Sequence, residues 1–396
     1  MTTSAAVGSS LLEDGASAGR TAAVQAIERL GGEADLCLVF ATTGYDQGAL
    51  LAGVAEVTGA ARISGCSGEG IIVGRSSHET DHAVAVMAIR SSSVSFEPIL
   101  VEGYDADSRA SGASIASAFE GRLDDALGVV VLPDGLSGNC TDFLDSLRQG
   151  LDVPVLIAGG TSADAYRFEK TYQYLDNEIR SGSVAAILIR GRGHLDVAVS
   201  HGCLPIGLER YVTREKDGWI HEIDERPAWE VFKEYLDGDP EDLNAEGIVH
   251  LCLGQALEEG EAEAYAPYVI RTPLRLDKDT GSLFFPGGGL ATGQRIQLTR
   301  RDPARILESA RACAESIRER NGGRSPELVV QFDCAGRGAI LFGPERQGEL
   351  VHPLQETLGA DTPWIGFRTY GEIAPIAGKP YYHNYTVALC ALYDDA

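Results

Sequence analysis

The chain has 396 residues, 44% apolar and 23% charged, which is enough for two domains or one large duplicated one. Its 58 acidic against 33 basic residues give a net charge of −25, a field that repels nucleic acid and anionic membranes and argues against either as a partner. No apolar run approaches the ~20 residues a membrane helix needs, the N-terminus lacks the basic and apolar segments of a secretory signal, and the eight dispersed cysteines contain no C-x-x-C pair, so a cytoplasmic, reduced protein is expected.

Residues 1–19, rich in Ser, Ala, Gly and Thr, read as a mobile tail. Val24, Ile27 and Leu30 then mark one face of a helix that stops at Gly31-Gly32. Leu36 to Ala41 reads as a buried strand, and Leu50, Leu51, Val54 and Val57 as the face of a second helix. Next comes a short strand into Gly65-Cys66-Ser67-Gly68-Glu69-Gly70. The same order recurs. Leu127 to Leu132 is a strand apolar on both faces, and Phe143, Leu144 and Leu147 face a helix. Val155-Leu156-Ile157 then enters Gly159-Gly160-Thr161-Ser162-Ala163-Asp164. Tyr166 to Leu175 and Ser183 to Ile189 read as a long hairpin with its tip near Asp176-Asn177, and the first module closes near Asp224.

In the second half Ala228, Val231, Phe232 and Tyr235 form a helix face, ended by Gly238-Asp239-Pro240. Ile248 to Leu253 reads as a strand, and Tyr268 to Leu276 pairs with Ser282 to Phe285 around a turn. Asp302-Pro303 caps a helix that carries Ile306, Ala310, Cys313 and Ile317 inward. Leu328 to Phe332 enters the loop Asp333-Cys334-Ala335-Gly336-Arg337-Gly338. Trp364-Ile365 then enters the third turn, Gly366-Phe367-Arg368-Thr369-Tyr370-Gly371-Glu372. A strand, a Gly-rich turn and a carboxylate, three times over, indicate one reused unit. The fold class expected is α/β: two related halves with mixed sheets flanked by helices and internally repeated strand–Gly turn units, divided as 1–19, 20–224 and 225–396.

Ligands of open α/β sheets sit beyond the C-terminal ends of strands, so the site is placed where the turns and the Cys334–Arg337 loop meet. Glu69, Asp164 and Glu372 end the three turns. Each either faces a ligand cation or positions a water, or else caps local backbone N–H groups or pairs with an Arg. Arg337 either grips a ligand carboxylate or pairs with Glu372, with Arg368 as a second candidate. Cys334 stands close to Arg337, whose charge would lower its pKa, and Cys66 sits in the first turn; small buried cysteine is the alternative for both. His383 is either a ligand-contacting or haem-ligating imidazole or a hydrogen-bonded His at a strand start, with His201 a lesser candidate. The candidate site set is Cys66, Ser67, Glu69, Thr161, Cys334, Arg337, Tyr370, Glu372, His383 and Asn384. Gly65–Glu69 lacks the last Gly of a nucleophile elbow, and Gly287–Thr292 lacks the last Gly of a dinucleotide loop.

These residues resemble the FIST family, bacterial sensory domains with an N-terminal and a C-terminal part. The first half matches at Gly65 to Ile72 and at Gly159-Gly160-Thr161. The second half matches at Arg271-Thr272-Pro273, Gly293 to Leu298, Arg301-Asp302, Phe332 to Gly338, Gly366 to Ile373 and His383 to Thr386. The resemblance covers residues 21 to 392. It implies a sensory protein that binds a small ligand, an amino acid or a derivative of one, and signals through a separate kinase or cyclic-dinucleotide protein. Two departures stand out: the first turn is two residues shorter than the third, and Asp333 stands where the family often has a small polar residue. A subset of the family binds haem and senses nitric oxide, which makes His383 the iron ligand in the alternative reading. A third reading is an enzyme that uses Cys334 or Glu372 on a small metabolite.

Overall fold

The computed structural model describes residues 3–236, 243 and 251–395. It is a mixed α/β structure of four sheets with flanking helices. Three units follow one plan. The first runs strand Ser4–Ser10, helix Gly15–Leu30, strand Leu36–Ala41, helix Gln47–Thr58, strand Arg62–Ser67, a hairpin of Ile71–Val73 with Ser76–His78, and strand Val84–Arg90. The second repeats it from Val94–Val101 to Val184–Gly191, and the third from Gly193–Ser200 to Val387–Asp394. In each unit the strands leading into and out of the second helix lie parallel, as Leu36–Ala41 does beside Arg62–Ser67.

The units exchange their hairpins in a ring. The first sheet is extended by Gln173–Leu175 and Glu178–Arg180 of the second unit, the second by Glu372–Ile376 and Lys379–His383 of the third, and the third by Ile71–Val73 and Ser76–His78 of the first. Residues 203–301 interrupt the third unit and form the fourth sheet. The boundary expected at 224/225 falls inside that sheet, between Trp219–Ile223 and Arg226–Pro227, which pair with each other.

Each of the three repeat sheets is buried on both faces, which is why their strands read as continuous apolar runs. Their inner faces share one core that includes Phe40, Met87, Leu132, Ile187, Phe332, Phe367 and Cys390. Their outer faces pack on the helices of each unit.

Gly65, Gly159 and Gly366 occupy matching positions. A Cβ on each would stand 1.8, 1.9 and 2.1 Å from the carbonyl oxygens of Val39, Val131 and Gln331 on the neighbouring strand, so only glycine fits.

The structure corrects three expectations. The N-terminal segment is not a tail: Ser4–Ser10 pairs antiparallel with Val84–Arg90, and Asp394 accepts hydrogen bonds from the Thr3 N–H and hydroxyl at 2.7 and 2.8 Å. The hairpin expected over 166–189 is only Gln173–Leu175 with Glu178–Arg180, while Val184–Gly191 belongs to another sheet. The strand expected over 268–276 breaks after Arg271 and resumes at Arg275. The helix stop at Gly238-Asp239-Pro240 and the first part of the strand expected at 248–253 lie outside the described residues.

Candidate functional site

The three Gly turns meet around the axis that relates the units. Ala163 N donates to Ser67 O at 3.0 Å, Tyr370 N to Thr161 O at 3.4 Å, and Glu69 N to Arg368 O at 2.9 Å, so the turns close a ring of backbone hydrogen bonds.

Asp164 and Glu69 reach the same phenol. The Tyr370 hydroxyl donates to Asp164 at 2.7 Å and stands 3.4 Å from Glu69. Asp164 also accepts from the N–H groups of Phe168, Glu169 and Lys170 at 3.0, 2.7 and 2.9 Å. This cage holds Ala165, Tyr166 and Phe168 at φ 62°, 52° and 54°, a left-handed backbone that L-residues enter only against a cost. Burial, followed by repulsion from Glu79 and Asp164, pushes the Glu69 carboxyl up to about 9, so it is protonated at neutral pH.

The loop so folded presents an aromatic wall. The rings of Phe168 and Tyr370 stack at 5.4 Å, and Tyr166 lies 6.2 Å from each. Opposite stand Thr272-Pro273-Leu274, where the fourth sheet breaks, and Cys334-Ala335-Gly336. Between them is a cavity of about 70 Å³, which Tyr385, Asn384 and Ile340 help to line. Asn384 braces it: its Oδ1 accepts from Thr272 N at 3.1 Å and its Nδ2 donates to Tyr370 O at 3.0 Å. The buried hydroxyls of Tyr166 and Thr272 have no hydrogen-bond partner among the described residues. Among the described residues no Asp, Glu, Lys, Arg or His side chain lines this cavity.

Of the expected site residues, Cys334, Tyr370 and Asn384 line it, and Glu69 and Thr161 stand directly behind it. The others serve the scaffold. Cys66 lies in the central core, and the Ser67 hydroxyl bridges Ala163 O and Tyr172 N at 2.8 and 3.0 Å.

Arg337 neither lines the cavity nor pairs with Glu372. It is fully buried, 3.3 Å from Asp333, and Asp333 in turn lies 3.0 Å from Arg368. Arg368 also meets Glu79 at 3.1 Å, which gives two cations and two anions shut into one cluster. Glu372 is likewise fully buried and accepts from Thr386 N at 3.1 Å and Thr386 Oγ1 at 2.6 Å, with the Thr369 hydroxyl on its other oxygen. Burial pushes its carboxyl up to about 8.

The Cys334 thiol is moved opposite to expectation. Burial and the nearby Glu372 carboxylate push its pKa up, and its proximity to Arg337 in sequence does not lower it.

His383 is fully buried, its Nε2 sits 3.1 Å from Ala374 O, and the rings of Tyr265 and Tyr381 pack on it at 5.5 and 6.3 Å. Burial drops its pKa to about 3. Haem requires an open face at the iron ligand and a wide apolar slot beside it. The packing around His383 supplies neither, so these residues do not fit haem. Among the described residues no group of three His, Cys, Asp or Glu side chains is placed to hold a metal ion, and no helix is long and apolar enough to cross a membrane.

Tyr166, Phe168, Thr272 and Pro273 were not expected in the site. The signals that could have pointed to them were two aromatics two residues apart just after a Gly turn, and a Pro interrupting an apolar strand.

The fold and site thus define a mixed α/β protein of three hairpin-exchanging units, with one inserted sheet closing a small aromatic cavity beside their common axis. Residues 35–226 match the FIST N domain and residues 228–375 the FIST C domain, and the chain belongs to the FIST family. FIST domains are generally sensory, ligand-binding domains of signal transduction. The chain is 28% identical over 394 residues to an uncharacterized protein of Mycobacterium bovis, covering 98% of each. It is 29% identical over 397 residues to one of Mycobacterium tuberculosis, covering 98% of this chain and 99% of the relative. Among solved structures it is similar to a chorismatase, with a TM-score of 0.37 and 8% identity over 91% of this chain and 93% of that one. It is similar also to a cyanuric acid hydrolase, with a TM-score of 0.36 and 10% identity over 99% and 100%. Both likenesses are too distant to speak to chemistry.

Proposed function

We propose that the chain senses a small, largely apolar ligand, bound in the cavity between Tyr166, Phe168 and Tyr370 on one side and Thr272–Leu274 and Cys334–Gly336 on the other. One observation carries this: two buried hydroxyls, Tyr166 and Thr272, belong to the cavity walls and have no hydrogen-bond partner among the described residues. A buried hydroxyl left unpaired costs about 1–3 kcal/mol, a cost that a ligand's polar group removes.

The walls suit a planar or aromatic group with one or two hydrogen-bonding atoms. A free amino acid fits poorly, because no charged side chain among the described residues lines the cavity to meet its ammonium or carboxylate. An uncharged derivative fits better. Catalysis by Cys334 or Glu372 finds little support, since the thiol is held protonated and the carboxyl is occupied by Thr369 and Thr386. Output through a separate kinase or cyclic-dinucleotide protein rests on the family resemblance alone.

Tyr166→Phe separates a ligand contact from a structural one. The expected result is unchanged or slightly raised stability in chemical denaturation, because an unpaired buried hydroxyl is removed. Affinity for any cavity ligand that pairs with this hydroxyl should fall about tenfold. A clear loss of stability would show that the hydroxyl is bonded within the protein and would remove the observation on which this reading stands.

A further inference from the structure

Arg271 ends the strand Tyr268–Arg271, and its residue is only 2% exposed. Arg337 and Arg368, similarly buried, face carboxylates. Arg271 faces none among the described residues. Its Nε donates to Gln255 Oε1 at 2.8 Å and its Nη1 to Tyr382 O at 2.7 Å. The Tyr382 ring lies 5.7 Å from the guanidinium carbon. Nη2 makes no hydrogen bond to the described residues. Burial lowers the guanidinium pKa only to about 10, so it stays charged at neutral pH. A buried cation with no directly paired carboxylate among the described residues is costly to keep, so the scaffold holds it against that cost.

Arg271 lines a second cavity, of about 300 Å³, together with Thr141, Gln255, Gly289, Gln294 and Lys379. None of these residues lines the aromatic cavity. Gly289 has φ +78°, and a Cβ on it would stand 2.9 Å from Arg271 Nη2 and 3.1 Å from the Thr141 hydroxyl. Glycine there keeps the approach to Nη2 open. Asp145, Glu258 and Glu261 also line this cavity, and Glu261 is engaged by the Tyr381 hydroxyl at 2.5 Å. One buried cation with acidic residues around it admits a single negative charge and opposes a double one.

We propose that this cavity is a second binding site, in which Arg271 anchors the carboxylate of a small monocarboxylic acid. The remaining edge of the guanidinium meets one carboxylate oxygen, as the planar fork of arginine does and an ammonium does not. Lys379, exposed beside the cavity, adds attraction on entry. The site is independent of the aromatic cavity, and either can fail alone.

The test is thermal unfolding of the full chain against sodium propionate at constant ionic strength and about pH 8.5, where inorganic phosphate, run in parallel, is almost wholly the dianion. Propionate is expected to raise the melting temperature saturably, and phosphate is not. Arg271→Lys keeps the charge, loses the fork and should weaken the response at least tenfold. Glu258→Gln, at an exposed position, leaves the buried packing intact and should tighten propionate binding about twofold. No saturable response to propionate, an undiminished response in Arg271→Lys, an unchanged affinity in Glu258→Gln, or an equal response to phosphate would each overturn the assignment.

Discussion

Asp333→Asn is expected to lower the stability of the chain by about 3–5 kcal/mol, the usual cost of breaking a buried ion pair from one side. The carboxylate lies 3.3 Å from Arg337 and 3.0 Å from Arg368, and all three side chains are fully buried. With Glu79 the cluster sums to zero charge. Without Asp333 it carries one uncompensated positive charge away from water. Asn keeps the volume, so cavity formation does not add to the loss. Arg337 would retain its contact with Ser200 O at 3.3 Å, and Arg368 its contact with Glu79. Denaturant unfolding of both proteins at one pH reads the difference. A loss under about 1 kcal/mol would mean that water reaches the cluster and that Arg337 is open to bind an anion, as its place in a Gly-rich loop first indicates.

The second large effect is on pH dependence. Glu69 and Glu372 have folded pKa values raised to about 9 and about 8, against about 4.3 for an unfolded Glu. A raised folded pKa means that the group contributes stability fully below the unfolded value and loses it progressively as pH rises through the folded value. His201 and His383 have the opposite sign in effect: burial lowers them to about 4 and about 3. Their contribution is present above the unfolded value of about 6.5 and is lost as pH falls. Below pH 6.5 the two sets oppose each other. Between pH 6.5 and 8 the buried carboxyls with raised pKa act unopposed by the histidines, and Glu69 and Glu372 each lower stability by up to about 1.4 kcal/mol per pH unit. Stability is therefore expected to fall from pH 6.5 to 8, and Glu69→Gln should remove up to about 1.4 kcal/mol per pH unit of that slope while keeping an acceptor for Tyr166 N. Full retention of the slope in Glu69→Gln would mean that the carboxyl is solvated and ionised.

Much of the repeat was legible in the sequence, because its signals are local. Gly65, Gly159 and Gly366 each follow a short apolar run, and glycine at that place is imposed by a neighbouring carbonyl. The exchange of hairpins was not legible. Ile71–Val73 pairs with Ile365–Phe367, almost 300 residues away, and alternation within a strand does not encode its partner. Ser4–Ser10 was missed because Ser, Ala and Gly have weak strand preference, and pairing with Val84–Arg90 overrides it.

Of the residues that line the aromatic cavity, Cys334, Tyr370 and Asn384 lie in the dense third-unit motifs and so were within reach of sequence reasoning. Arg337 and Glu372 have the residue types of ligand contacts or of an internal pair, and exposure cannot be read from residue type. Asp333 satisfies the first, and Thr369 and Thr386 satisfy the second. The sequence pattern places Tyr166 and Phe168 in a hairpin strand. Their left-handed backbone depends on Asp164 accepting three N–H groups at once, a cage that no local preference announces.

The claim that the aromatic cavity is the ligand site is tested most directly by a ligand-observed NMR screen. A set of small aromatic and heteroaromatic compounds would be run against the wild type and Ile340→Trp side by side. Ile340 lines the cavity and is half-buried, so the larger ring fills space without removing a hydrogen bond. The account predicts that uncharged compounds with one or two hydrogen-bonding atoms bind the wild type and lose binding in Ile340→Trp, with both proteins folded. Compounds that bind both proteins equally, or a wild type that binds none of them, would contradict it.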